Sequence, residues 1–257
     1  MTGSFPISVP SPHDYDALFH RWRSVAAALD LRNEVLCEIG GLPVLHVENE
    51  LSARREVGGV YLSTGVHGDE CAPVWALLEW IATNPPILRE RPVKLFPCLN
   101  PIGFRANTRF DGSGTDLNRS FTDPSLPLIA AWQKSMSDHR FDLSLSLHED
   151  YDASGIYLYE LTRRASVGHA LLSACETHLP RESSTEIDGS KFDRGLLVRS
   201  AEVERVVADQ LGGGYPEAIL LFLHHADSSL TFETPSERDL SLRMAAHFAF
   251  LDAATRR

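Results

Sequence analysis

His67 and Glu70 sit three residues apart in Gly65-Val66-His67-Gly68-Asp69-Glu70, an imidazole and a carboxylate at the junction of a strand-like and a helix-like segment. Across such a turn both side chains can reach one Zn²⁺, which takes nitrogen and oxygen ligands at about 2.0–2.2 Å. The pair alone is a weak signal, because a helix N-terminus with an acidic first turn has the same appearance. His148 adds to it. It follows Phe141–Leu147, in which Leu143, Leu145 and Leu147 alternate with Asp142, Ser144 and Ser146. The period of two puts His148 on the face of the small polar residues, where an imidazole has room. A third protein ligand there leaves a fourth position for water, the pattern of a catalytic rather than a structural zinc site. Arg109, Asn118 and Arg119 lie in one stretch rich in Gly, Asn, Asp and Arg. A guanidinium fork and amide donors suit a carboxylate, although such a stretch is equally an ordinary solvated loop.

The elements that must position these groups follow from the apolar pattern. A first helix starts near Ser11 and Pro12, with Tyr15, Leu18, Phe19, Trp22 and Val25 at helical spacing. Glu34–Ile39 and Leu42–Val47 form strands of a hairpin through Gly40-Gly41. Gly59–Thr64 is a strand leading into the His67 turn, and a helix follows with Val74, Leu77, Leu78 and Ile81 on one side. Val93–Leu99 is a strand, Gly103–Phe121 a long loop, and Leu128–Ser137 a helix. Further strands are expected at Gly155–Tyr159, Ala218–Leu223 and Leu230–Glu233, with helices near Ser166–Thr177 and Glu237–Ala253. Residues 181–194 are polar enough for a mobile surface excursion. Alternating strands and helices predict one α/β domain over residues 1–257, a mixed, mostly parallel sheet with helices on both faces.

Composition narrows the function. The chain has 257 residues, 43% of them hydrophobic, and a formal net charge of −11. The acidic balance argues against nucleic acids and acidic membranes as partners. No apolar run approaches a membrane span, and the N-terminal MTGSFPISVPSPHDYD has no basic region followed by an apolar one. Cys37, Cys71, Cys98 and Cys175 are scattered with no CxxC pair, so reduced thiols and a cytoplasmic location are expected.

The order of GVHGDE, NPIGF, NTRFDGSGTDLNRSF, the strand-terminal His148 and the late TFETPS resembles that of M14-type zinc carboxypeptidases, from about Gly59 to Ser236. The resemblance implies an eight-stranded mixed sheet between helices, one Zn²⁺ per chain and hydrolysis of an amide bond beside a free carboxylate. It makes His67, Glu70 and His148 the metal ligands and Glu233 the general base and later acid. Arg109 becomes the group that stabilises the developing oxyanion, Asn118 and Arg119 the anchor for the substrate carboxylate. Asp116 becomes the carboxylate that orients His67, since a ligating imidazole needs a partner on its other nitrogen. Tyr215, on Leu211-Gly212-Gly213-Gly214-Tyr215, is the candidate for a tyrosine over the substrate, with Tyr151, Tyr157 and Tyr159 as competitors. Small murein peptide amidases share the GxHGDE and TR-to-DLNR elements, so a peptidoglycan-derived peptide is one expected substrate. N-acyl amino acid deacylases resembling succinylglutamate desuccinylase and aspartoacylase form the alternative; they share the ligand motif, DLNR and the late Glu. A third reading, a binding module without turnover, conflicts with the presence of every expected residue. Asp69 and Glu149 flank the ligands with no role assigned.

Overall fold

Residues 11–54, 57–201 and 203–256 are described by a computed structural model of the chain. Helix α1, Tyr15–Ala28, begins where Asp14 accepts a hydrogen bond from the Ala17 amide, so Asp14 rather than Ser11 caps it. The aspartate side chain reaches an orphan amide of the first turn, and Ser11 lies one turn too early. Strands β1, Arg32–Ile39, and β2, Leu42–Glu48, form the expected hairpin, with Gly40 and Gly41 both at positive φ. After the short helix α2, Glu50–Ala53, come β3, Val60–Thr64, and α3, Cys71–Ala82. The short α4, Ile87–Glu90, leads to β4, Val93–Phe96.

The stretch expected to be one long loop is partly helical. Asn100 accepts from the Gly103 amide and Pro101 takes the first position of α5, Pro101–Ala106; Leu117–Arg119 is a 3₁₀ turn capped by Asp116. Helix α6, Pro127–Met136, β5, Phe141–Asp150, β6, Tyr157–Thr162, and α7, Gly168–Cys175, follow. The polar stretch 181–194 is built around a two-stranded hairpin, β7, Glu186–Ile187, with β8, Ser190–Lys191. Its Glu182 is buried and accepts the amides of Ser154, Gly155 and Ser184. The chain ends with β9, Leu196–Arg199, α8, Val203–Gln210, α9, Glu217–His224, β10, Ala226–Pro235, and α10, Leu240–Thr255.

The run Ala218–Leu223, expected as a strand, is helix α9. Six apolar residues do not separate a strand from a buried helix by periodicity. What decides is Glu217: its carboxylate accepts hydrogen bonds from Tyr61, Ser63 and Ser146 and so seats the first turn of α9 against β3 and β5. The sheet place beside β5 goes to β10.

The sheet has eight strands in the order β1-β2-β4-β3-β5-β10-β6-β9, and four of its seven pairings are parallel. Alternate residues pack on opposite faces. Val60, Leu62, Leu145 and Leu147 join α1, α3 and α10 in the larger core; Tyr61 and Phe96 join α6 and α9 in the other. Among the described residues the four cysteines are free and no helix is long and apolar enough to cross a membrane. The N-terminal stretch considered for a secretory signal lies outside the described residues through residue 10.

Two loops that carry functional groups meet at a glycine pair. A Cβ on Gly68 would lie 1.9 Å from the Gly103 carbonyl carbon, so the His67 turn packs backbone to backbone on α5. Gly68→Ala is therefore expected to destabilise the protein by at least about 1–3 kcal/mol, the usual scale of overpacking. Urea denaturation tests it, and an unchanged midpoint would show that the two loops can separate freely.

Candidate metal centre and active site

The parallel strands β3, β4 and β5 end together, and their loops gather the polar groups at one edge of the sheet, where ligands of open α/β sheets collect. The Leu99 and Asn100 amides bond to the Thr64 and Gly65 carbonyls and fix the two loops side by side. His67, Glu70 and His148 converge, each at most 4% exposed, with one potential ligand atom from each within 4.8 Å of the others. His67 Nδ1 lies 2.5 Å from Glu70 Oε1, and His148 Nδ1 lies 3.0 Å from Glu70 Oε2. Both imidazoles thus turn the same nitrogen to one carboxylate. Glu70 Oε2 is buried without a hydrogen bond of good geometry, an acceptor that a cation can satisfy.

Electrostatics agree. Burial raises the pKa of Glu70, but the two imidazoles outweigh it and hold the carboxyl well below its usual range. Burial opposes charge on His67 as well, yet Glu70 and Asp116 raise its pKa to about 9. His148 is raised likewise, against burial, chiefly by Glu70. The site demands positive charge, and a divalent cation supplies it without protons on the ligands. Two imidazoles and a carboxylate are a donor set suited to Zn²⁺.

Asp116 joins this centre to the neighbouring loop. Its Oδ1 lies 3.4 Å from His67 Nε2, and its Oδ2 accepts from Arg109 Nε and Nη2 at 3.2 and 3.0 Å. Arg109 Nη1 is 3.3 Å from His67 Nδ1. One carboxylate therefore orients both the imidazole and the guanidinium. Asn118 Oδ1 accepts the Glu217 amide at 3.0 Å, so its side-chain NH₂ remains as the donor end. Arg119 is exposed beside it and donates to the Asn118 carbonyl at 3.0 Å. All three line a cavity of about 560 Å³ with His67, Glu70 and His148.

Glu233 enters the same cavity from β10, directly beside His148 in the sheet. Burial raises its pKa well above the carboxylate range, and Glu70 and Asp150 push it further, against the opposing effect of His148. Glu149, next to His148, points to the other face of the sheet. It accepts the Ala72 amide at the start of α3 and pairs with Arg243 of α10, which is a structural task. Asp69 is half-buried beside Glu70.

Tyr215 is not brought to this cavity. Its ring packs against the cluster of Leu161, Val203, Val207, Ile219 and Phe222, and its carbonyl accepts the Phe121 amide. Tyr157 and Tyr159 do line the cavity, with hydroxyls donating to Asp150 and Asp188. Their alternation on β6 was the signal for this; Tyr215 on its glycine loop has no such register. Tyr151 is exposed. Thr231, Asp188, Ser190 and Arg199 also line the cavity and carried no motif in the sequence.

The model of the succinylglutamate desuccinylase/aspartoacylase catalytic domain matches residues 56–187, just over half of the chain. The chain belongs to that family. The match takes in His67, Glu70, Arg109, Asp116, Asn118, Arg119 and His148 and ends before Glu233. No curated protein sequence matches. Among solved structures, a candidate metallopeptidase from Shewanella denitrificans OS217 is 24% identical, with 93% of this chain and 88% of that chain covered and a TM-score of 0.79. Carboxypeptidase A from Helicoverpa armigera is 13% identical, covering 95% and 73%, with a TM-score of 0.67. A metallo-carboxypeptidase from Burkholderia cenocepacia is 15% identical, covering 91% and 67%, with a TM-score of 0.62. At these identities the likeness is one of fold. The family and the fold together put the chain in the M14-like superfamily, as a hydrolase with a carboxypeptidase-like architecture.

His67→Ala and His148→Ala are each expected to abolish stoichiometric metal binding. Asp116→Ala is expected to keep the ligands but weaken metal affinity by about 10–100-fold, the usual cost of losing the partner of a ligating imidazole. Metal analysis and chelator competition measure both, and full zinc occupancy in either histidine variant would refute the ligand set.

Proposed function

We propose that the protein is a zinc-dependent amidohydrolase that cleaves the amide bond of an acylated or peptidyl amino acid bearing a free carboxylate. The observation that supports this most is the convergence in one cavity of the buried His67–Glu70–His148 cluster, Glu233 and Arg109 beside it, and Asn118 and Arg119. Asn118 and Arg119 hold the carboxylate, which sets the register of the substrate. Arg109, pinned by Asp116, donates to the carbonyl oxygen as it gains charge. Glu233 takes a proton from the attacking water and passes it to the leaving nitrogen, which becomes strongly basic as the C–N bond breaks. Zn²⁺ bound by His67, Glu70 and His148 would acidify that water and polarise the carbonyl.

Two substrate classes fit this chemistry. A peptidase acting on short peptides, including peptidoglycan-derived ones, is favoured by the carboxypeptidase-like fold over nearly the whole chain. A deacylase of N-acyl amino acids is favoured by the family match over residues 56–187. They differ only in what lies on the acyl side of the bond. Four free thiols, three of them buried, are compatible with a reducing compartment, and we assign the protein to the cytoplasm.

The metal-loaded protein is expected to hydrolyse members of a panel of short peptides, γ-linked muropeptides and N-succinyl or N-acetyl amino acids, and the best acyl group names the class. Arg119→Ala should mainly raise KM, since an anchor holds substrate and transition state alike. Glu233→Gln should keep metal and ligand affinity and lower kcat by at least about 10²-fold. Equal turnover of substrates with free and amidated carboxylates would rule out the anchoring role of Asn118 and Arg119.

A further inference from the structure

Helix α3 begins without the cap its own sequence offers. Glu70 occupies the N-cap position, yet its carboxylate accepts no amide of the first turn. It faces the two imidazoles instead. An N-cap side chain ordinarily accepts from the second or third residue of the helix. The third residue here is Pro73, which has no N–H, so the Ala72 amide is the one donor within reach of a cap. That amide is already taken: Glu149 Oε2 accepts it at 2.9 Å.

Glu149 reaches the helix from β5, and its side chain is fully buried. Arg243 of α10 pairs with Oε1, and the Thr234 hydroxyl donates to the same oxygen at 3.3 Å. His247, also fully buried, brings Nε2 to 3.0 Å from that hydroxyl. With Oε1 engaged in this way, Oε2 is aimed at the Ala72 amide. Successive residues of a strand face opposite sides of the sheet. His148 therefore enters the ligand cluster from one face of β5 while Glu149 meets α3 on the other. Glu233 and Thr234 divide in the same manner on β10, one towards the cavity and one towards Glu149. One strand thus supplies a ligand and, one residue on, the cap for the helix that begins at another ligand.

We propose that Glu149 is a positioning residue for the metal centre, capping α3 in place of Glu70 and so leaving the Glu70 carboxylate to the metal. The inference rests on the ligand set of His67, Glu70 and His148. An orphan amide at a helix start needs an acceptor, and the helix dipole favours a carboxylate in that place. Without Glu149 the acceptor would be the N-cap carboxylate itself, and binding a metal ion would mean drawing Glu70 off the helix. That competition reads out as weaker metal binding. The ion pair with Arg243 fixes Glu149 but is not the link to the metal, since Oε1 makes the pair and Oε2 makes the cap.

Two conservative variants separate reach from charge. Glu149→Gln keeps an acceptor oxygen at the distance of the Ala72 amide and gives up the charge that pairs with Arg243. Glu149→Asp keeps the charge and, one methylene shorter, withdraws from the amide. Zinc affinity, measured by chelator competition, is expected to stay within about threefold of the wild type in Glu149→Gln and to fall at least about tenfold in Glu149→Asp, the scale for losing a group that orients a ligand. Wild-type affinity in Glu149→Asp, or a greater loss in Glu149→Gln than in Glu149→Asp, would overturn the proposal and leave the ligand set standing. Hydrogen exchange of the Ala72 amide gives a second readout that needs no variant to fold. In the wild type this amide should be protected both with and without zinc, because Glu149 holds it in both states. Loss of protection in either state overturns the proposal; protection confined to the metal-free protein would mark Glu70 as the cap. A wild type that binds no zinc refutes the ligand set itself, and Ala72 exchange then decides the cap alone: protection in the wild type that Glu149→Asp removes upholds it, and protection that Glu149→Asp leaves unchanged overturns it.

Discussion

The active centre depends on the parallel register between β5 and β10. Nine residue pairs, from Phe141 with Ala226 to Asp150 with Pro235, keep His148 and Glu233 as immediate neighbours. A slip of one residue would turn Glu233 to the α3–α10 face and bring Phe232 or Thr234 to the cavity. That register is set away from the chemistry. Leu145, Leu147, Leu230 and Phe232 face the larger core, and Phe232 stacks on Phe250 of α10 at a ring distance of 4.3 Å. Burial of these side chains, at roughly 25 cal/mol per Å² of apolar surface, is what holds His148 and Glu233 at one place in the sheet.

Acidic side chains perform an unusual share of the internal work. Glu149 accepts the Ala72 amide at the start of α3, and Glu160 accepts the Val167 and Gly168 amides at the start of α7. Glu182 gathers three loop amides, and Glu217 gathers three hydroxyls. A buried carboxylate costs several kcal/mol unless such donors surround it. For Glu149, Glu160 and Glu182 the donors include orphan amides of helix starts and turns, which themselves need acceptors, and for Glu217 they are hydroxyls. The excess of acid over base in the composition is thus partly internal, and Glu217 carries it to the site: the residue that seats α9 on the sheet also offers its amide to Asn118.

The three candidate ligands are tied to local rules in the sequence, whereas Glu233 and Asp116 are marked only by the family resemblance. His148 follows from alternation along one strand, and His67 and Glu70 from a strand-to-helix turn. Tyr157, Tyr159 and Arg199 also alternate along their strands, but their place in the cavity follows from which strand pairs with which, and a pairing of β10 with β6 and of β6 with β9 is not written in any single segment. Helix α9 was missed for a related reason. Its six apolar residues carry no period, and the seat of Glu217 on Ser63 and Ser146 joins residues 154 and 71 positions apart. Tyr215 shows the opposite case, a flexible-looking glycine loop in sequence whose tyrosine packs, partly buried, against an apolar cluster.

The sheet order separates two kinds of residue that an enzyme rarely changes at the same rate. His148 and Glu233 stand on interior strands whose neighbours on both sides fix them. Arg199 stands on β9, the last strand of the sheet, and Ser190 on a small hairpin outside it. Substitutions at the edge disturb few core contacts and cost little stability, whereas those on β5 or β10 strike the whole ladder. The architecture is evolvable in this specific sense: descendants can drift towards new side chains at the rim while inheriting the same hydrolytic centre. Relatives in such a lineage would be expected to agree at the centre and diverge at the edge.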